Sequence, residues 1–159
     1  MRTFSFLLMF MTAVPMASST LAQTAPPARL IALVGTDQMK FSMAEIQAKP
    51  GERLRIRLTT NSQMPPAAMS HNFVLLKAGT PAGQMISFVE AAASARDTDY
   101  IPTAQAMKDL IVAHTGLAGA GQSVEVTFQV PDAPGDYPFL CSFPGHFLSG
   151  MRGVLKVAG

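Results

Sequence analysis

Tyr137-Pro-Phe-Leu-Cys141-Ser-Phe-Pro-Gly-His146-Phe-Leu-Ser-Gly-Met151-Arg-Gly-Val-Leu-Lys-Val157 reads as two apolar runs, Tyr137 to Cys141 and Gly153 to Val157, joined by a loop rich in turn residues. Runs of this length, aromatic or β-branched and bounded by Pro, Gly and Ser, predict strands. The same rhythm recurs upstream at Leu30 to Val34, Arg53 to Thr59, Asn72 to Leu76, Leu110 to Ala113 and Ser123 to Val130. Short strands separated by turn signals predict an all-β chain, a Greek-key β-sandwich or barrel. One stretch breaks the pattern. Ala82 to Ala95 is alanine-rich, with Ile86, Val89 and Ala93 at helical spacing and Pro81 near its start, and predicts a short helical insertion packed on the sandwich.

The loop between the last two strands carries three soft donors. Pro144-Gly145 favours a turn between Cys141 and His146, and Ser149-Gly150 favours another before Met151, so that the three side chains converge. A thiolate, an imidazole and a thioether prefer copper to the oxygen-loving cations. His71, after the Pro65-Pro66 turn region and at the start of a predicted strand, supplies a fourth donor at the same end of the sandwich. Two His and one Cys in a plane, with a distant Met, form the donor set of a type 1 (blue) copper ion. Taken singly, each residue has a plainer reading: Cys141 as a small buried hydrophobe, His71 as a hydrogen-bonded strand residue and Met151 as core filler. Their coincidence in one pattern favours the metal. His114 has no partner at ligand spacing and reads as a structural or surface histidine.

Composition limits the alternatives. The 159 residues hold 12 basic and 10 acidic side chains, and the one Lys/Arg cluster, Arg53, Arg55 and Arg57, alternates with Leu54, Ile56 and Leu58 as one solvated strand face. That leaves little electrostatic footprint for nucleic acid. No apolar run reaches the roughly 18 residues of a membrane-spanning helix, so stable membrane insertion is not expected. One cysteine excludes an intrachain disulfide, a multi-thiolate zinc site and a binuclear copper centre with two thiolates. Only His114 remains beyond the proposed ligands, too few for the further histidine cluster of a copper enzyme. The expected role is electron carriage without substrate chemistry, and the alternative is a copper-delivery or storage protein, supported by seven methionines after residue 22.

Residues 1–22 have the form of a secretory signal: Arg2, an apolar Phe4 to Val14, and Thr20-Leu21-Ala22 as small residues at a cleavage site. Its removal lowers the formal net charge of +2 by one. With Gln23 rather than Cys at the new N-terminus, soluble export is expected. Residues 23–28 then form an Ala/Pro leader, and 29–159 a single domain.

Several segments resemble the azurins of the cupredoxin superfamily over nearly all of the exported length. They are Gly35-Thr-Asp-Gln-Met-Lys-Phe41, Met69-Ser-His71-Asn72-Phe-Val-Leu, Asp99-Tyr100, Ile111-Val-Ala-His114-Thr115 and, most specifically, Cys141-Ser-Phe-Pro-Gly-His146. The resemblance implies an equatorial plane of His71, Cys141 and His146, an axial Met151 and a second axial oxygen from the Ser70 carbonyl. It also implies that Asn72 ties the two copper loops together. The four residues between His146 and Met151 are one more than azurins have and are similar to plastocyanin or auracyanin. Azurins also carry an N-terminal disulfide, whose absence leaves that end to packing, and Phe73 and Ser70 stand where tryptophan and glycine are usual.

Two expectations follow from this site. Backbone N–H groups of Asn72 and Phe143 are placed to donate to the Cys141 sulfur and tune the potential. Partners dock on an apolar rim around His146 formed by Met69, Phe143, Pro144, Phe147 and Leu148. The expected setting is the periplasm, with a c-type cytochrome, a copper nitrite reductase or an oxidase as redox partner.

Overall fold

A computed structural model describes residues 27–159, so the signal and most of the leader read from the sequence lie outside the described residues. Among the described residues nine strands form two sheets: β1 Arg29–Thr36, β2 Lys40–Phe41, β3 Glu45–Ala48, β4 Arg53–Asn61, β5 Val74–Leu76, β6 Ile111–His114, β7 Ser123–Gln129, β8 Gly135–Leu140 and β9 Arg152–Val157. One sheet has the order β2-β1-β4-β7 and the other β3-β9-β8-β5-β6. β1 runs parallel to β4 and β3 parallel to β9, while the remaining pairs are antiparallel.

Alternation in β4 shows why the sheets stack. Leu54, Ile56 and Leu58 are fully buried, whereas Arg53 and Arg57 face solvent and Arg55 is half-buried. A period of two puts every second side chain on the same face, so the apolar set goes to the core and the arginines go out. On the neighbouring β7, Glu125 stands opposite Arg57 in register and pairs with it. Between the sheets lie Leu33, Ile46, Phe73, Leu75, Phe139 and Leu155 among others, with Phe139 against Phe41 and Phe73 at 5.5 and 5.2 Å between ring centroids. The Tyr137 hydroxyl donates to the Ala133 carbonyl at 2.8 Å, the short back-bond of a tyrosine corner, which occurs in Greek-key sandwiches.

The helical insertion is α1, Ala82–Ala93, followed by a 3-10 turn at Arg96–Thr98 and a single-turn helix α2, Gln105–Lys108. α1 buries Phe88 and Ala92, four positions apart and so on one face. They cover a second apolar cluster with Val74, Leu76, Ile101, Leu140 and Phe147. β2, β3 and α2 had no clear signal in the sequence, being two to four residues long.

The N-terminal end is not left to packing alone. The Arg29 guanidinium pairs with Glu52 and donates to the Gln47 carbonyl at 2.7 Å, joining the start of β1 to the β3–β4 connection. Both side chains are partly exposed, so this clasp contributes modestly, on the order of 1 kcal/mol or less.

Candidate metal centre

Two connections meet at one end of the sandwich. The first, before β5, carries His71, whose backbone is fixed by reciprocal bonds with Ala118: His71 N–H donates to Ala118 O at 3.0 Å and Ala118 N–H to His71 O at 2.8 Å. The second, between β8 and β9, carries Cys141, His146 and Met151. Here Cys141 N–H donates to Met151 O at 3.1 Å and Met151 N–H to His146 O at 2.9 Å. Main-chain bonds thus hold the loop's three donors in mutual register.

The side chains converge. His71 Nδ1 lies 3.2 Å from His146 Nδ1, and Cys141 Sγ lies 3.5 Å from the same nitrogen. One ligand atom from each of the three falls within 4.8 Å of the others, and all three residues are buried. Met151 is fully buried beside them, its methyl next to the position a side chain at Gly35 would take. A Cβ at Gly35 would lie 2.5 Å from the His71 ring and 3.0 Å from the Met151 methyl, so this β1 position must be glycine for both side chains to fit. In the sequence Gly35 stands out only through the resemblance of its segment to azurins. Its close approach across the fold has no one-dimensional signal.

Burial favours the uncharged forms of the three residues. Burial lowers the pKa of His71, against the opposing pull of Asp37 and the Thr36 carbonyl. Burial, and then repulsion from His71, lowers that of His146 to about 4. Burial raises the Cys141 thiol to about 12, although backbone N–H groups of Asn72 and Phe143 point at its sulfur and stabilise the thiolate. Two neutral imidazoles and a thiol facing one point fit a soft cation, which replaces the thiol proton with a metal–sulfur bond.

The other expected residues are distributed unevenly. Asn72 is buried between the two connections and bonds to Ser142. Ser70 is buried, and its hydroxyl donates to the Pro66 carbonyl at 2.7 Å, fixing the turn that delivers His71. His114 is exposed at the end of β6 and stands outside the metal cluster. The rim is narrower than expected. Phe147 is a correction: at 3% exposure it turns inward among Phe88, Leu140 and Val74, with the Arg152 guanidinium over its ring at 5.3 Å. Burying a phenyl ring against an existing apolar cluster outweighs presenting it at the surface. Met69, Phe143 and His146 are buried as well, a further correction to the expected rim, because they pack around the donor cluster; Pro144 is exposed and Leu148 is 73% exposed.

A two-sheet sandwich with a buried His-Cys-His set and an adjacent Met at one end defines a mononuclear copper protein of the cupredoxin class. The sequence profile described as copper binding proteins, plastocyanin/azurin family, matches residues 29–158, and the chain belongs to that family. It is 35% identical over 128 residues to an azurin of Bordetella pertussis (strain Tohama I), covering 79% of this chain and 81% of that protein. An azurin of Pseudomonas chlororaphis is 36% identical over 123 residues, covering 76% and 91% respectively. Among solved structures, auracyanin A, described as a "blue" copper protein from Chloroflexus aurantiacus, superposes with a TM-score of 0.72 at 30% identity, covering 83% of this chain and all of that one. Copper is the cofactor that this family and this donor set share.

Proposed function

We propose that the protein is a periplasmic carrier of single electrons, with one copper ion held by His71, Cys141 and His146 and weakly by Met151. Bound there, copper supplies a one-electron couple between its +1 and +2 states. The observation that carries the reading is the convergence of Cys141 Sγ and the two Nδ1 atoms inside a sealed, hydrogen-bonded end of the sandwich.

The residues around the donors limit motion. The loop is locked by its own main-chain bonds, and Asn72 joins it to the His71 segment. Little ligand movement then accompanies a change of charge, which favours fast transfer. The Asn72 and Phe143 N–H groups stabilise negative charge on the Cys141 sulfur. The Ser70 carbonyl, next to His71 in the chain, would be a further, weak oxygen donor to the ion.

Within this reading the protein transforms no substrate, and its partners are redox proteins such as a c-type cytochrome, a copper nitrite reductase or an oxidase. Pro144 and Leu148 form the exposed docking rim, and Met69, Phe143 and His146 are buried residues at the same end of the sandwich. Signal-directed export of residues 23–159 accounts for the location.

The visible spectrum with metal analysis tests the proposal. The oxidised, copper-loaded protein should hold one copper per chain and be intensely blue, and Cys141→Ser should abolish the colour while the sandwich still folds. A persistent intense blue band in Cys141→Ser would remove Cys141 from the ligand set. Rapid loss of copper to a chelator, with no blue band, would favour delivery or storage instead.

A further inference from the structure

We propose that the β1–β2 hairpin clamps the Met151 side of the site, and that Lys40 is a positioning residue that sets where Met151 sits relative to the other three donors. This deepens the reading above and rests on Met151 being a ligand.

Two separate contacts point to the hairpin. The first is the Lys40 ammonium, which donates to the Ser149 carbonyl at 2.8 Å across 109 positions of sequence. Ser149 and Gly150 form the turn that leads into Met151. Their other hydrogen bonds are local: Ser149 N–H to Gly145 O at 3.0 Å and Gly150 N–H to Phe147 O at 2.9 Å. Lys40 is therefore the tie from this turn to another strand. Gly150 has a φ of 92°, and a Cβ there would fall on the Lys40 ammonium, so the turn's left-handed glycine leaves the space that the lysine occupies.

The second contact is Gly35, whose missing side chain makes room for the His71 ring and the Met151 methyl. Gly35 and Lys40 belong to one ladder, with Gly35 opposite Phe41 and Thr36 opposite Lys40. A single hairpin thus borders the Met151 methyl at Gly35 and holds the turn before it at Lys40. Lys40 takes part in none of the ion pairs among the described residues. Its charge is directed to a carbonyl in the four-residue turn between His146 and Met151. A turn has conformations to exclude before it can place Met151, and a charged donor anchored on a strand removes some of them.

The experiment compares Lys40→Met, which keeps a linear stem and loses the ammonium, with Lys40→Arg, which keeps a charged donor. In the metal-free protein, hydrogen exchange at the Met151 amide should speed up about fivefold in Lys40→Met, the loss expected for one hydrogen bond, and stay near the parent in Lys40→Arg. In the copper-loaded protein, Lys40→Met should change the intensity ratio of the visible charge-transfer bands, equally at low and high salt, and Lys40→Arg should restore it. A through-space charge effect would fade with salt, whereas a positional one persists. In a Met151→Leu background the same lysine substitution should leave the ratio unmoved. An unchanged ratio in Lys40→Met overturns the proposal whatever the amide does, and so does a change that disappears in salt or survives in Met151→Leu. Failure of the parent protein to turn blue would instead overturn the copper reading, and the amide exchange would still judge the clamp.

Discussion

Asn72 and Ser142, 70 positions apart, exchange two hydrogen bonds: the Ser142 amide donates to Asn72 Oδ1 and Asn72 Nδ2 donates to Ser142 Oγ, both at 2.8 Å. Each residue directly follows one of the proposed ligands, His71 and Cys141. The same two side chains also donate to a third segment, Asn72 Nδ2 to the Asp99 carbonyl at 2.9 Å and Ser142 Oγ to the Tyr100 carbonyl at 2.7 Å. Asp99 and Tyr100 are consecutive non-glycine residues at φ 56° and 59°, a strained pair that persists because its carbonyls are held. The bend lays the Tyr100 ring against Phe143 at 5.1 Å, and Phe143 in turn lies 4.7 Å from the His146 ring.

Asn72→Ala should accordingly cost more than a surface hydrogen bond. It leaves the buried Ser142 amide without its acceptor, a loss of about 1–3 kcal/mol. Chemical denaturation of the metal-free protein measures it, and Asn72→Asp, which keeps the acceptor but loses the donor, should recover part of the loss. Equal stability in Asn72→Ala and the parent would show that the junction is replaceable.

Met151→Leu should keep the blue colour and raise the reduction potential, because the sulfur tunes the ion without creating the chromophore. A Met-to-Leu exchange of similar volume costs less than about 1.5 kcal/mol, so the fold survives. Voltammetry reads the shift. Loss of copper from this variant would make Met151 a binding ligand rather than a tuning one.

Acid should weaken the metal-free protein in two stages. His71 and His146 have folded pKa values below the ordinary 6.5, with His146 near 4. A group with a lowered folded pKa contributes stability that is present above its unfolded value and lost as pH falls through the folded one. The melting temperature should therefore decline from pH 6.5 toward pH 4. Below about 4.5, protonation of Glu45, Glu52 and Glu125, whose pKa values are lowered chiefly by hydrogen bonds from Lys156, Arg29 and Arg57, adds a second decline. A flat melting temperature between pH 6.5 and 5 would show that the histidines take no proton-linked part in stability.

Leu148→Asp probes the docking rim with little effect on the fold, since the side chain is 73% exposed and the change should lie within about 0.5 kcal/mol. Spectrum and potential should stay at the parent values, while electron self-exchange and transfer to a candidate cytochrome fall about tenfold, an interface loss of ~1.4 kcal/mol. Undiminished rates would place docking elsewhere.

The parts of the site legible in the sequence are those within a single loop. Cys141, His146 and Met151 are near in the chain, so turn chemistry alone brings them together. His71 is distant, but with three histidines to choose from its strand-edge context singles it out. The inward turn of Phe147 was not legible, because a phenylalanine beside an exposed leucine has the same local signature whichever way it points. Gly35 and Lys40 were hidden for another reason: each acts on residues far along the chain, and β2, the strand that places Lys40, is two residues long. The Arg29–Glu52 clasp joins elements 23 positions apart and follows no short-range rule.

Met151 immediately precedes β9, and β9 lies inside its sheet between β3 and β8. The last strand of the chain thus completes its sheet by entering between two strands that precede it, and Met151 has its place beside His71, Cys141 and His146 only in the finished sheet. Closure of the fold and completion of the donor set are one event, because the residue that ends the loop also begins the strand that closes the sheet.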